Sequence, residues 1–261
     1  MFTWLLELLK MPETKHVKNI EDIDEVESTI LHRKIINKKG FLYKLYLDYY
    51  GMFKENTKDI PNGLKIEIGS GGGFLKEVIN DVITSDVLKL PGVDKVFFAE
   101  KIPYPDGSVT AFFLLDTLHH IKEPTKFFSE VNRCLKPGGK IVMIEPTNTP
   151  FSRLFFKYVH QEEFDSTKDE WVVDGEGRLA DANIAMPWII FIRDREKFLK
   201  KYPDLEIIQI NKHTPFRWFL SGGLSYRQLV PSTSFGFFTK IDKLFQNISG
   251  SFMTIVIKKS E

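Results

Sequence analysis

From position 64 onward the chain alternates between two hydrophobic periods. LKIEI (64–68), VITSD (82–86), KVFF (95–98), VTAFFLL (109–115), KIVMIE (140–145), DLEIIQI (204–210) and SFMTIVIKK (251–259) read as seven strands. VTAFFLL is a continuous apolar run, as a strand covered on both faces requires. Between the strands, FLKEVINDV (74–82) sets Phe74, Leu75, Val78, Ile79 and Val82 on one helical face. EPTKFFSEVNRCLK (123–136) is a helix with Pro124 in its first turn, KPGG (136–139) a turn, and REKFLKKY (195–202) a helix that Pro203 ends. This alternation predicts an α/β fold, a mostly parallel sheet with helices on both faces. Ligands of such sheets bind at the carboxyl ends of the strands, where the strand order reverses.

Upstream the period is helical only. Ile23, Val26 and Ile30 recur at spacings of three and four, with Asp22 or Asp24 available as cap, and Leu42, Tyr46, Tyr49 and Phe53 continue the pattern after Gly40. Pro61-Asn62-Gly63 breaks the chain, so residues 1–60 are expected to form a helical cap on an α/β domain at 61–261. Two segments of that domain, 146–190 and 211–251, lack the strand–helix rhythm and hold Trp171, Trp188, Phe216, Trp218, Phe219 and Tyr226. Long segments of this kind are usually functional, and these are expected to fold over the strand ends as a lid.

Composition narrows the classes. Thirty-six basic and thirty-five acidic residues leave a net charge of +1, which offers no general attraction to nucleic acid or anionic lipid. The basic run HRKIINKK (32–39) reads as a solvated helix face. Cys134 is the one cysteine, placed among apolar neighbours as a small core residue, and a reducing, cytoplasmic compartment is expected. MFTWLLELLK at the N-terminus is too short to span a bilayer and lacks the pattern of a signal peptide, so a docking helix is expected and no integral membrane segment.

The chemistry gathers in KIEIGSGGGFL (65–75). Glycines after a first strand let a ligand approach the main chain without interference from Cβ. The nicotinamide fingerprint would need a further glycine at position 74, which is Phe74. The spacing found is Glu67-x-Gly69-x-Gly71-x-Gly73, with Ser70 inside it. An acid two residues before the first glycine suits a cationic ligand bearing an amino-acid moiety better than a pyrophosphate. A plain strand-end charge is the structural alternative for Glu67.

With these residues the chain resembles the class I S-adenosylmethionine-dependent methyltransferases over roughly 64–145, the last two strands adding support. IEIGSGGGF is similar to their first motif, AEKIPYPDGSVTAFFLLDTLHHI to their run from adenine pocket to fourth strand, and FFSEVNRCLKPGGKIVMIEP to the following helix, turn and fifth strand. The resemblance implies a seven-stranded Rossmann-like sheet of order 3-2-1-4-5-7-6, its last strand antiparallel, and S-adenosyl-L-methionine as cofactor. It further implies that Asp86, about twenty residues beyond the first motif, accepts the ribose hydroxyls, with Val87 beside it. Ala99 and Glu100 would meet the adenine, and Leu115 and Asp116 the methionine end. Glu100 can equally be solvated, and Asp116 can cap the next turn.

Three departures stand out. Phe98 replaces the usual acid before Ala-Glu, and Thr110 the usual Asp of the fourth strand. Only residues 87–94 join the second and third strands, too few for a crossover helix, so a loop is expected there whose Leu88 and Leu90 line the adenine site.

The expected activity is methyl transfer to a small-molecule, sugar or lipid-like acceptor; a non-catalytic adenosyl-ligand-binding interaction protein is the alternative. His119, after the fourth strand, and Glu145, ending the fifth, are the candidates for deprotonating the acceptor. Against that role, His119 can be a satisfied helix-start histidine and Glu145-Pro146 can simply fix the strand exit. Adjacent His119 and His120 are expected to point apart, so no metal site is assigned. His160, Glu162 and Glu163 in HQEEFD offer either a metal or substrate site or a solvated lid hinge. The oligomeric state is not readable from the sequence.

Overall fold

The computed structural model describes residues 8–14, 26–158, 162–175, 177 and 181–261. Ile23, the caps Asp22 and Asp24, His160 and most of the N-terminal apolar segment lie outside the described residues. One seven-stranded sheet runs β3-β2-β1-β4-β5-β7-β6, the expected order. Its strands are β1 (Leu64–Ile68), β2 (Val82–Asp86), β3 (Lys95–Val96), β4 (Val109–Leu115), β5 (Leu135–Pro146), β6 (Leu205–His213) and β7 (Phe252–Lys259). β7 is antiparallel to both its neighbours, and the other pairs are parallel.

Period-two alternation in β4 feeds two cores. Phe112 and Leu114 pack on one face with Phe127, Phe128 and Val131 of helix Pro124–Cys134. Ala111 and Phe113 pack on the other with Leu42, Leu45, Tyr50 and Phe53 of helix Gly40–Asn56. Helices Val26–Lys38 and Gly40–Asn56 therefore share a core with the sheet. Each fully buried aromatic there contributes on the order of 1.5–3 kcal/mol over exposure.

Those helices explain a difference from the sequence reading. FLKEVINDV does not form a helix: a single 3-10 turn at Leu75–Glu77 is followed at Val82 by β2. The surface that a crossover helix would cover is already taken. Phe74 stacks on Tyr43 with ring centroids 4.6 Å apart and meets Tyr50 edge-on at 5.0 Å. The 87–94 connection is a loop as expected, Leu88 facing the cavity described below and Leu90 buried away from it.

Other expectations also shift. KPGG lies within β5, where the register against β4 jumps between Val109 and Ala111. Gly138 there has φ +75, so the turn geometry persists as a bulge. The basic run is only in part a solvated face: Lys34 and Lys38 are exposed, but other members are engaged. Arg33 donates to the Gly73 carbonyl and pairs with Glu77, while Lys39 is buried and donates to the carbonyls of Gly223 and Tyr226. Burial pushes the Lys39 ammonium down to about 7. Cys134 is buried as expected. No helix among the described residues is long and apolar enough to cross a membrane.

Candidate active site

A cavity of about 530 Å³ opens at the carboxyl ends of β1, β2 and β4. That is within the range of small-molecule and cofactor sites. Its floor is the glycine loop, and three constraints explain the loop's composition. At Gly69, which has φ +68, a Cβ would strike the Thr117 methyl at 2.4 Å; at Gly73 it would strike the Tyr50 hydroxyl at 2.5 Å. At Gly71, φ is +50 but the nearest heavy atom to a Cβ is the Gly69 carbonyl at 3.9 Å. Gly69 and Gly73 are thus glycine partly for the protein's own packing, and Gly71 is the position with open space above it. Asp86 secures the loop from β2: its Oδ2 accepts the Gly71 N–H at 2.9 Å and its Oδ1 the Leu88 N–H at 3.0 Å.

All eleven residues expected at a cofactor (Glu67, Gly69, Ser70, Gly71, Gly73, Asp86, Val87, Ala99, Glu100, Leu115, Asp116) lie on this one wall. Buried polar atoms there lack hydrogen-bond partners: Glu67 Oε2, Ser70 Oγ and Thr29 Oγ1. Burial pushes the Glu67 carboxyl up to about 7, Asp86 adding to the rise and Ser70 and Arg33 opposing it. A ligand with a cationic amino group would satisfy this acid, and the unpartnered oxygens fit the polar end of an adenosyl amino acid.

The upper wall comes from the expected N-terminal cap, although the residues that form it were not legible in the sequence. Thr29, His32 and Ile36 of one N-terminal helix and Tyr46 and Tyr50 of the next close the cavity. The aromatics of the expected lid do not: Trp171, Trp188, Phe216, Trp218, Phe219 and Tyr226 are all absent from the wall. Trp171 and Trp218 are buried, Trp171 donating to Asp194 at 2.9 Å. From the two segments, Glu162, Gly175 and Leu224 reach the cavity. Residues 211–213 extend β6, and SGGLSYR is a tight loop with Gly222 and Gly223 at positive φ.

At the β4 end, Asp116 adopts φ +55, uncommon for a residue with a side chain. A 3-10 turn, Leu118–His120, follows. Glu145 at the end of β5 fixes that turn. Its Oε1 accepts the N–H groups of Thr117 and Leu118 at 2.9 and 2.8 Å, and its Oε2 accepts from His119 Nδ1 at 2.9 Å. His119 Nε2 faces Glu162 Oε2 at 3.4 Å and Asp116 Oδ1 at 4.0 Å. His120 Nε2 lies 3.9 Å from Glu162 Oε1.

Two expectations change here. The rings of His119 and His120 do not point apart; their centroids are 4.2 Å from each other, because the tight turn and Glu162 draw both to one place. His120 is on the cavity wall, whereas His119 is buried one layer behind it. Burial works against a charge on His119, but hydrogen bonds to Glu145 and Glu162 and the charge of Asp116 outweigh it. The imidazole is held well above its ordinary value. Asp116 is pushed up to about 7, chiefly by burial, although a third of its side chain faces the cavity, where water moderates the effect. The cluster thus couples an imidazolium to carboxylates at the cavity surface, an arrangement that can accept, hold or return a proton.

Comparison with known proteins agrees with this geometry. Residues 66–143 match the family model described as "Methyltransferase domain". Demethylmenaquinone methyltransferase of Renibacterium salmoninarum is 36% identical over 64 residues, 23% of this chain and 27% of that protein. An uncharacterised protein of Methanocaldococcus jannaschii is 33% identical over 95 residues, 33% of this chain and 46% of that one. The chain thus spans less than half the length of either relative. Geranyl diphosphate C-methyltransferase from Streptomyces coelicolor, solved with Mg2+, geranyl diphosphate and S-adenosyl-L-homocysteine, has the same fold: TM-score 0.51 at 14% identity, over 87% of this chain and 83% of that one.

Proposed function

Since this chain carries a methyltransferase domain of the class I S-adenosylmethionine-dependent family, we propose that it moves a methyl group from that cofactor to a small-molecule acceptor. The observation that carries the proposal is one cavity. It joins the glycine loop and the buried acid Glu67, whose Oε2 lacks a partner, to the Asp116–His119–His120–Glu162 cluster. The cofactor supplies an already activated methyl, which leaves positioning and desolvation to the protein.

Glu67, Ser70 and the Gly71 main chain would hold the amino-acid end, and Asp86 the ribose through lone pairs not spent on Gly71 and Leu88. Ala99 and Glu100 would flank the base with Leu88, while Leu115 and Asp116 border the methyl. The acceptor would enter between the glycine loop and the N-terminal helices. Tyr46, Ile36, Ile121 and Leu224 make this part of the wall largely apolar, favouring an acceptor with an apolar body and a polar reacting end. His119 and Glu145 serve here as positioning residues, holding the carboxylates of Asp116 and Glu162 where the acceptor's proton leaves.

Calorimetry with S-adenosylhomocysteine, S-adenosylmethionine and NAD tests the cofactor, with binding of the first two and none of NAD expected. Tight NAD binding would overturn it. Turnover then tests the activity: with an acceptor in hand, His119→Ala should lose about 10²–10⁴-fold in kcat while affinity for S-adenosylhomocysteine holds. Equal kcat would leave positioning by the remaining wall as the whole mechanism.

A further inference from the structure

The cluster at the β4 end brings together more ligand atoms than a shared proton needs. One ring nitrogen each of His119 and His120 and a Glu162 carboxylate oxygen lie within 4.8 Å of one another, and Asp116 Oδ1 is 4.0 Å from His119 Nε2. Donors about 2.1 Å from a common ion stand roughly 3.0–3.5 Å apart at neighbouring coordination positions. The His119–Glu162 separation of 3.4 Å already fits. The His120–Glu162 separation of 3.9 Å needs a closure of roughly half an ångström, within reach of side-chain rotation.

We propose that His119, His120 and Glu162 bind one divalent transition-metal ion at the cavity wall, with Asp116 beside His119 and Glu145 orienting His119 from behind. A metal-bound imidazole characteristically gives its second ring nitrogen to a carboxylate, which fixes ring and tautomer. Glu145 does this at His119 Nδ1, leaving Nε2 turned toward Glu162 and Asp116. The same carboxyl group accepts two main-chain N–H groups of the turn that carries both histidines, so backbone and ring are fixed by one residue. Imidazole with carboxylate suits zinc, iron, cobalt or manganese better than magnesium or calcium.

The site is one-sided. His119 is buried, while Asp116, His120 and Glu162 border the cavity. An ion held there has protein behind it and free coordination positions toward the cavity, the arrangement of catalytic rather than structural sites. It would take an oxygen donor from the bound acceptor, a hydroxyl, enol or carboxylate, and so selects acceptors that present one. The proposal does not depend on methyl transfer, because ion binding is measured without turnover.

The test uses the full chain, stripped with a chelator and dialysed. Titration with Co2+ should produce visible d–d absorption that saturates at one equivalent, and Zn2+ should displace it. Glu162→Gln and His120→Asn, near-isosteric changes on the cavity wall, should each weaken Co2+ binding by 100-fold or more. Glu145→Gln, acting through His119, should weaken it about 10–100-fold. Circular dichroism and affinity for S-adenosylhomocysteine should stay at wild-type values in Glu162→Gln and His120→Asn. No d–d band at excess Co2+, or a Co2+ affinity unchanged in both of those variants, overturns the site. Adenosyl-ligand binding on the same samples reports separately on the cofactor reading.

Discussion

At Gly71 a side chain would find space but the wrong backbone. Its φ of +50 costs an L-residue about 1–2 kcal/mol, and a branched side chain would enter the volume assigned to the adenosyl ligand. At Gly73 the obstacle is internal, with the Tyr50 hydroxyl 2.5 Å and the Ser70 carbonyl 2.9 Å from a Cβ. Gly71→Val should therefore lose at least 100-fold in affinity for S-adenosylhomocysteine with a small change in melting temperature. Gly73→Ala should mainly lose stability, and Tyr50→Phe should relieve part of that loss, so that the double mutant costs less than the sum. Additive denaturation energies would show that the Tyr50 contact does not constrain the loop.

Glu67 adds a pH dependence at the same scale. Its carboxyl titrates at about 7 in the free protein because it is buried, and a cationic ligand stabilises its charged form. Below that value, binding must expel the proton. Affinity should fall toward acid pH, by up to about tenfold per pH unit, and level off above about pH 7. Calorimetry in buffers of different ionisation enthalpy should detect the released proton, and Glu67→Gln should abolish it. An unchanged release in the variant would move the proton to another group.

Among the elements, the N-terminal helices carry most of the covering that they were expected to share with segments 146–190 and 211–251. They complete the core through Phe53 and Tyr50 and close the cavity through Thr29, His32, Ile36 and Tyr46. Helix Phe235–Ser249 contributes nothing to the cavity wall. Binding of S-adenosylhomocysteine should consequently slow hydrogen exchange in 26–50 as well as in the glycine loop, and leave 235–249 unchanged. Protection of 235–249 without 26–50 would restore the C-terminal segments as the moving cover.

For the whole molecule, acid stability depends in part on a histidine that does not line the cavity. His213, at the end of β6, is buried, its Nδ1 2.8 Å from Thr214 Oγ1 and its Nε2 2.9 Å from Thr254 Oγ1 on β7. Burial, with the charge of Arg217, pushes it down to about 3. The folded value lies below the unfolded one of about 6.5, so between these limits the unfolded chain binds a proton that the native chain refuses. Stability should fall as pH drops below about 6.5. Near pH 4.5 the contribution of His213 alone is about 2–3 kcal/mol. Urea denaturation at pH 7.5 and 4.5 should show a smaller acid loss in His213→Gln than in wild type.

The sequence by itself determined what depends on neighbours along the chain. The continuous apolar run of β4, the glycines that free the main chain after β1, Asp86 ending β2 and the final strands were all legible, because local geometry and the faces of an element are set by adjacent residues. The strand order followed from the family resemblance rather than from the pattern. Packing decided the rest. FLKEVINDV has a helical face but no surface left to cover, since Phe74 already lies between Tyr43 and Tyr50. His119 and His120 are equivalent in sequence, yet Glu145 holds one behind the wall and leaves the other on it. Glu162 reaches both across more than forty positions of chain. Convergence of distant side chains is fixed by how elements stack, and the periodicity of any single element carries no record of it.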